Sequence, residues 1–218
     1  MREKVKDYSL RVSSVVLGTF ILAVGIALCA KADIGMSTFD ALEYTIADVL
    51  GMKPGTFAII FNYIFIAAQL IVEGKSFSKL QLLQFPNILL FGSLLNVIQF
   101  TVLGSVSFES YPVRFVISAL SNIIRAIGIT LILESNFIRS AMEGLVKVIC
   151  DKRGKRIGRT MQVLDFVYVA LSLLVSLIFK KQYRVREGTI MAFVIFGPCL
   201  DIFRKPVARL KKRYNIMS

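Results

Sequence analysis

Six long apolar stretches constrain the fold of this chain more than any other feature of its sequence. A helix needs about 20 apolar residues to cross the hydrocarbon core of a bilayer. Hydrophobic residues make up 56% of the chain, whereas soluble domains have roughly 45 to 50%. The sequence therefore predicts an all-α polytopic membrane protein, a single membrane domain over residues 1–218. The predicted spans are residues 12–30, 56–72, 80–103, 113–133, 161–179 and 189–203.

The chain also carries a faint internal repeat. Residues 34–62 match residues 137–165 without a gap when the sequence is shifted by 103 residues. Polar and glycine positions coincide in this alignment: Asp40 with Glu143, Gly51 with Gly154, Gly55 with Gly158, and Asn62 with Asp165. Two extra residues in the second half then bring FGSLLN, residues 91–96, against FGPCLD, residues 196–201.

The repeat predicts how the two halves are oriented. The first repeat covers residues 10–103 and the second covers residues 113–205, with three predicted spans each. Because three is an odd number, the second copy must cross the bilayer in the opposite direction to the first. We therefore predict six transmembrane helices arranged as two inverted three-helix repeats, an architecture of many secondary transporters.

A short amphipathic segment follows the first span of each half, at residues 37–50 and 140–150. Each is too short to cross a bilayer, so we predict a helix that lies at the interface or enters the membrane as a re-entrant half-helix. Ser37 followed by Asp40 predicts the start of the first helix, and Gly51 predicts its end. An inward-pointing half-helix presents unpaired backbone N–H groups, which predicts a solute site where the two halves meet.

Polar residues within or beside the spans are the candidates for this site, because ionisable groups at membrane depth are costly and are usually kept for a pathway or a partner. Asp165 and Asp201 are candidates for cation or proton coupling. For Arg125 two interpretations stay open: an ion pair with Asp165 or Asp201, or recognition of substrate. Asp40 and Glu143 have a second interpretation as solvated residues of interfacial helices. The candidate substrate-binding residues are Asp40, Asn62, Asn96, Arg125, Glu143, Asp165 and Asp201.

The basic residues predict the orientation. Lys and Arg outnumber Asp and Glu by 27 to 14, and cytoplasmic loops of membrane proteins are enriched in Lys and Arg. With both termini in the cytoplasm, most basic residues lie inside; the outer loop KKQYRVRE, residues 180–187, runs against this assignment. The basic segment 150–159 is expected to mark topology and to contact anionic lipids at the cytoplasmic face, and nucleic acid is not an expected partner.

Several function classes are disfavoured. The chain has no histidine, and its three cysteines are far apart, so we expect no metal site and no cofactor. It lacks the H-E-x-x-H, G-x-S-x-G and phosphate-loop patterns, so we do not expect an enzyme. The leading hypothesis is a transporter or permease-like protein for a small solute. The alternative is a non-catalytic binding or accessory subunit, either the substrate-capture component of a larger transporter or a regulator of a partner protein.

Small residues in the first span leave the question of partners open. Ala23 and Ala27 form a small-residue face, which suits either a second copy of the chain, a partner membrane protein, or internal helix packing.

The segment from Ala32 to Leu42 reads ADIGMSTFDAL, and it is followed by Gly51, Gly55 and Asn62. This pattern resembles the bacterial YczE/YyaS/YitT-type membrane proteins, which combine A-x-x-G-x-S/P-x-D-A-L with a later G-x-x-x-G-x-x-x-x-x-x-N; here two residues rather than one separate Ser37 from Asp40. Proline is common in that family near the position of Ser37. The resemblance implies a multi-spanning protein of the bacterial inner membrane with Asp40, Gly55 and Asn62 as family-type positions, and it implies no particular substrate.

Overall fold

The computed structural model describes residues 2–138 and 140–214, and these residues form α-helices joined by short connections. The helices are α1 (Arg2–Ala32), α2 (Thr38–Leu50), α3 (Pro54–Glu73), α4 (Gln84–Val97), α5 (Tyr111–Glu134), α6 (Ala141–Arg153), α7 (Ile157–Ile178) and α8 (Glu187–Tyr214). Two 3₁₀ turns, Gly74–Ser76 and Lys79–Leu83, precede α4, and a π-helical turn, Ile98–Val102, follows it. The all-α prediction is confirmed for the described part of the chain.

Five helical segments among the described residues are long and apolar enough to cross a bilayer: Asp7–Ala32, Pro54–Glu73, Leu80–Val102, Tyr111–Glu134 and Ile157–Ile178. They coincide with the first five predicted spans. Large apolar side chains on these segments face outward, as Phe166 does with 78% of its surface exposed, which suits contact with lipid rather than with water. The protein is a helical membrane protein.

The sixth predicted span, residues 189–203, is not among the helical segments that are long and apolar enough to cross a bilayer. It lies within α8, where the apolar stretch contains Asp201 and is bounded by Glu187 and Arg204. Any segment of α8 long enough to cross a bilayer therefore includes several charged residues. Helix α8 is continuous through Gly197 and Pro198.

Helices α1 and α5 have the most extensive helix–helix contact among the described residues, and they run in opposite directions. Gly18 lies against Gly128, whereas Gly25, further along α1, lies against Ser121, which precedes Gly128 in α5. A Cβ added at Gly18 would be 2.7 Å from the Gly128 carbonyl oxygen, and one added at Gly25 would be 3.0 Å from the Ser121 carbonyl oxygen. The absence of side chains at these glycines therefore lets the two backbones touch.

The small-residue face of α1 packs inside the protein. Ala23 and Ala27 are fully buried in a core cluster with Met36, Tyr44 and Leu95. Both alanines therefore pack inside the protein, as the internal-packing alternative requires.

The two short helices each pack against a long helix from the other half of the chain: α2 contacts α7, and α6 contacts α3. In the first pair the Thr45 and Ser172 hydroxyls are 3.0 Å apart, and in the second Gly144 packs against the Gln69 side chain. Helix α2 begins after Ser37 and ends at Gly51, as predicted. Helix α6 begins after Ser140 as predicted and runs on to Arg153.

Helices α3 and α4 approach each other more closely at their glycines than the corresponding helices α7 and α8 do at theirs. Helices α3 and α4 meet at Gly55 and Gly92, where a Cβ on either residue would collide with the backbone of the other. The corresponding glycines of the second half, Gly158 and Gly197, have no described atom within 4 Å of an added Cβ. The α3–α4 pair is thus closed, with its backbones touching at the two glycines. The α7–α8 pair is apart at the corresponding glycines.

The basic loop between α7 and α8 is held by acidic residues. Arg184 Nη2 lies 2.7 Å from Asp48 Oδ2, and Arg184 Nη1 lies 3.5 Å from Asp33 Oδ1. The Met36 backbone N–H donates to the Arg184 carbonyl at 3.0 Å. The positive charge of Arg184, in the loop that runs against the predicted orientation, therefore attaches this loop to α2 and to the segment before it.

Candidate functional site

A cavity of about 500 Å³ lies between the helices, and residues from all eight α-helices line it. The first turns of both short helices belong to its wall, from Ser37 to Asp40 on α2 and from Ser140 to Glu143 on α6. The N-terminal ends of both short helices therefore border one cavity. The volume lies within the range of roughly 300 to 1,000 Å³ that is typical of small-molecule sites.

An ion pair between Arg125 of α5 and Asp40 of α2 occupies the wall of this cavity. Arg125 Nη2 lies 2.5 Å from Asp40 Oδ2, and each side chain is only 7% exposed. Ser37, the N-cap of α2, donates its hydroxyl to Asp40 at 2.6 Å and accepts from Arg125 at 3.2 Å. The expectation of an ion pair for Arg125 is correct in kind, but its partner is Asp40 rather than Asp165 or Asp201.

Glu43, one turn after Asp40 on α2, is a functional candidate that the sequence analysis did not single out. It is buried, lines the cavity and accepts a hydrogen bond from Asn62 Nδ2 at 3.3 Å. Helix α2 is too short to span a membrane, and burial, reinforced by the Asp40 charge, raises the pKa of the Glu43 carboxyl well above its usual value. A positive charge brought close to it would favour its ionised form.

Asp165 lies on α7 and lines the cavity at its contact with α2. Thr38 Oγ1 donates to Asp165 Oδ1 at 2.5 Å. The neighbouring Phe39 ring meets the Tyr168 ring edge-on, with 5.5 Å between centroids. Asp165 is thus placed beside aromatic side chains, and it accepts its hydrogen bond from a neutral hydroxyl.

Glu143 on α6 occupies the position that Asp40 occupies in the first half, and it also lines the cavity. Leu22 stands where the matching arginine would be, so Glu143 has no ion pair within 4 Å among the described residues. Helix α6 is a short helix, and burial raises the pKa of the Glu143 carboxyl, with Arg204 acting in the opposite direction.

Two buried amides in the wall have unsatisfied atoms. Gln84 is 1% exposed, and neither its Nε2 nor its Oε1 has a hydrogen-bond partner among the described residues. Asn122 is 0% exposed; its Nδ2 donates to the Ser118 carbonyl, but its Oδ1 is unpaired there. Both residues lie within predicted spans, where sequence alone does not distinguish a cavity-facing amide from one that bonds its own helix.

Two of the seven predicted site residues lie away from the cavity wall. Asn96 joins α4 to the start of α3: its Oδ1 accepts from the Gly55 N–H and its Nδ2 donates to Thr56 Oγ1, each at 2.9 Å. Asp201 is exposed on α8. The structure thus brings together Asp40, Asn62, Arg125, Glu143 and Asp165, and it adds Glu43, Gln84 and Asn122.

The sequence also has relatives. The model of a family of unknown function (DUF6198) matches residues 9–205. The chain is 25% identical over 195 residues to the uncharacterized protein YyaS of Bacillus subtilis (strain 168), covering 88% of this chain and 92% of that protein. No solved structure matches. The resemblance to YyaS-type proteins is confirmed, and the chain belongs to the DUF6198 family.

Proposed function

We propose that this chain is a transporter or permease-like protein of the bacterial inner membrane, and that its small solute binds in the central cavity. One observation carries the proposal. Buried carboxylates and a guanidinium line a solute-sized cavity inside a bundle whose outer surface is apolar. Ionisable groups in such surroundings are expensive and are usually found along substrate or ion pathways.

The helix contacts support an inverted repeat. A shift of 103 residues converts Gly18 into Ser121 and Gly25 into Gly128, so it converts the contact of Gly18 with Gly128 into the contact of Ser121 with Gly25. The same shift exchanges the α2–α7 contact with the α6–α3 contact. These relations are those of a two-fold axis between antiparallel halves, with α8 as the sixth crossing.

The differing helix pairs support two alternative states. In secondary transporters with inverted repeats, the halves exchange conformations and the site opens first to one side and then to the other. Here α3 and α4 are closed at Gly55 and Gly92, whereas α7 and α8 are apart at Gly158 and Gly197. The opposite state would have the second pair closed and the first apart.

The orientation with both termini in the cytoplasm gains support from the outer loop. Arg184 is paired with Asp48 and Asp33, so this loop has a structural reason for its positive charge. The basic segment 150–159 then faces the anionic lipids of the cytoplasmic leaflet.

Reconstitution tests the proposal. Liposomes that contain the purified chain are given a defined mixture of small metabolites, and uptake is followed by mass spectrometry. We expect saturable uptake of at least one solute, with loss of that uptake in Asp165→Asn. The matched control is Asp151→Asn, which removes an exposed carboxylate from α6 and should leave uptake unchanged. Solute binding without uptake would contradict transport and favour the accessory subunit.

A further inference from the structure

The charge of the cavity wall is unbalanced. Four acidic side chains and one basic side chain line it, and Arg125 is already paired with Asp40. Glu43, Glu143 and Asp165 have no Lys or Arg nitrogen within 4 Å in the described part of the chain. Carboxylates in low-dielectric surroundings need compensation by a positive charge or by a proton.

A second, independent feature also favours a ligand with N–H groups. Gln84 and Asn122 are buried in the same wall, and the Gln84 Oε1 and Asn122 Oδ1 acceptors are unpaired among the described residues. A buried acceptor without a partner costs about 1 to 3 kcal/mol. An N–H donor of a bound molecule would satisfy these oxygens. The Gln84 Nε2, which is also unpaired, would then need a neutral acceptor, because a carboxylate would be repelled by the acids of the same wall.

Most of the remaining side chains of the cavity wall are apolar. Phe91, Phe193 and Phe196 lie among aliphatic side chains and give the cavity an apolar surface. The Phe196 face already holds the Arg125 guanidinium, 5.7 Å from the ring centroid. Among the described residues, no three His, Cys, Asp or Glu side chains are close enough to hold one metal ion. Acids spread around an apolar cavity of about 500 Å³ suit an extended organic molecule better than an inorganic cation.

We infer that the solute of this cavity is an amphiphilic organic amine, bound as its ammonium form through Glu43 and Asp165 with its apolar body against the phenylalanines. This inference rests on the proposed function, since it names the class of molecule that the same cavity takes. Arg125 does not require an anionic solute, because Asp40 neutralises it; its unpaired Nε and Nη1 are available to a neutral acceptor of the solute.

Two dansyl probes of matched length and opposite charge test the inference. Dansylcadaverine ends in an ammonium group, and dansylaminohexanoate ends in a carboxylate on a linker of the same length. Binding to the purified full chain in detergent is measured by dansyl fluorescence, with empty micelles as blank. We expect saturable binding of the amine, and weaker binding of the carboxylate. A charge-assisted contact contributes on the order of tenfold in affinity, so the double variant Glu43→Gln/Asp165→Asn should bind the amine at least about tenfold more weakly.

Two controls keep the result interpretable. Glu109→Gln/Asp151→Asn removes the same two residue types at exposed positions and should bind like wild type. Glu43→Asp keeps the carboxylate and should retain more amine affinity than Glu43→Gln. Equal or tighter binding of the carboxylate probe, unchanged amine affinity in the cavity double variant, or failure of both probes to bind the folded wild type would each overturn the inference. Metabolite uptake by reconstituted liposomes that is unaffected by the amine would overturn the assigned class while leaving transport intact.

Discussion

The Arg125–Asp40 pair is the best-defined polar contact of the cavity at the scale of single residues. Its two charges are 2.5 Å apart and nearly inaccessible to solvent. Only one half of the chain has it, because the repeat places Leu22 and Glu143 at the matching positions. The asymmetry matters, since it leaves Glu143 as a carboxylate without a fixed counter-charge while Asp40 is neutralised.

Replacing one member of this pair should be worse than replacing both. Asp40→Asn leaves the guanidinium buried without a counter-charge, and such a break costs about 3 to 5 kcal/mol. Asp40→Asn/Arg125→Leu removes both charges and reproduces the leucine of the first half, so it should recover much of the loss. Thermal unfolding of the detergent-solubilised protein measures the difference. If Asp40→Asn were as stable as wild type, the ion pair would contribute nothing to folding.

At the scale of elements, the two short helices organise the molecule. Each is followed by a glycine in the left-handed region, Gly51 with φ 65° and Gly154 with φ 62°, which ends the helix and lets the chain turn back into a long helix. Each also packs on a long helix of the other half. Because of this exchange, the first turns of both short helices meet at the cavity rather than at opposite surfaces.

The contact between α3 and α4 gives a matched prediction at this scale. Gly55→Ala places a methyl group against the Gly92 carbonyl, and overpacking of this kind costs about 1 to 3 kcal/mol. Gly158→Ala, at the equivalent place in α7, meets no described atom within 4 Å and should be close to neutral, because Gly158 lies in the first turn of α7, outside the helix interior where alanine is favoured over glycine by about 1 kcal/mol. The midpoint of thermal unfolding, measured side by side, compares the two. Equal loss in both variants would contradict the proposed difference between the helix pairs.

At the scale of the whole molecule, most helix contacts have a counterpart under the repeat, but the closed α3–α4 pair and the open α7–α8 pair do not match. The antiparallel α1–α5 pair and the exchanged short helices follow one two-fold pattern. The α3–α4 and α7–α8 pairs depart from it. Under the proposed inverted repeat, the two halves have equivalent alternative conformations, so the closed and open pairs are expected to interchange.

A cross-link tests that interchange. In a background without Cys29, Cys150 and Cys199, the double variant Gly158→Cys/Gly197→Cys should form a disulfide under oxidation, because the opposite state brings these positions together. The disulfide should arrest the uptake measured in liposomes, and reduction should restore it. Gly158→Cys alone serves as the control. Full uptake in the cross-linked protein, or no cross-link while uptake proceeds, would argue against closure of this helix pair.

Local patterns predicted the elements well and the site incompletely. Helix α2 begins after Ser37 and ends at Gly51 as expected, because helix capping depends on neighbouring residues in the sequence. Glu43 was not predicted as a site residue, because its spacing on an amphipathic helix suits a solvated face equally well. Only the packing of α2 in the structure shows that Glu43 is buried and contacts Asn62 of α3. Asp201 was chosen for its place in the repeat, yet it is exposed on α8. Which face of a helix meets the cavity depends on packing with helices far away in the chain.

By itself, the sequence determined that this is an all-α membrane protein with two short helices that each end at a glycine, because apolar length and glycine act locally. Only the tertiary structure decided that Asp40 rather than Asp165 or Asp201 neutralises Arg125, and that Gln84 and Asn122 line the cavity with unpaired acceptors. The physical reason is that ion pairing and cavity lining depend on distances between helices, and those distances arise from the packing of all eight helices together.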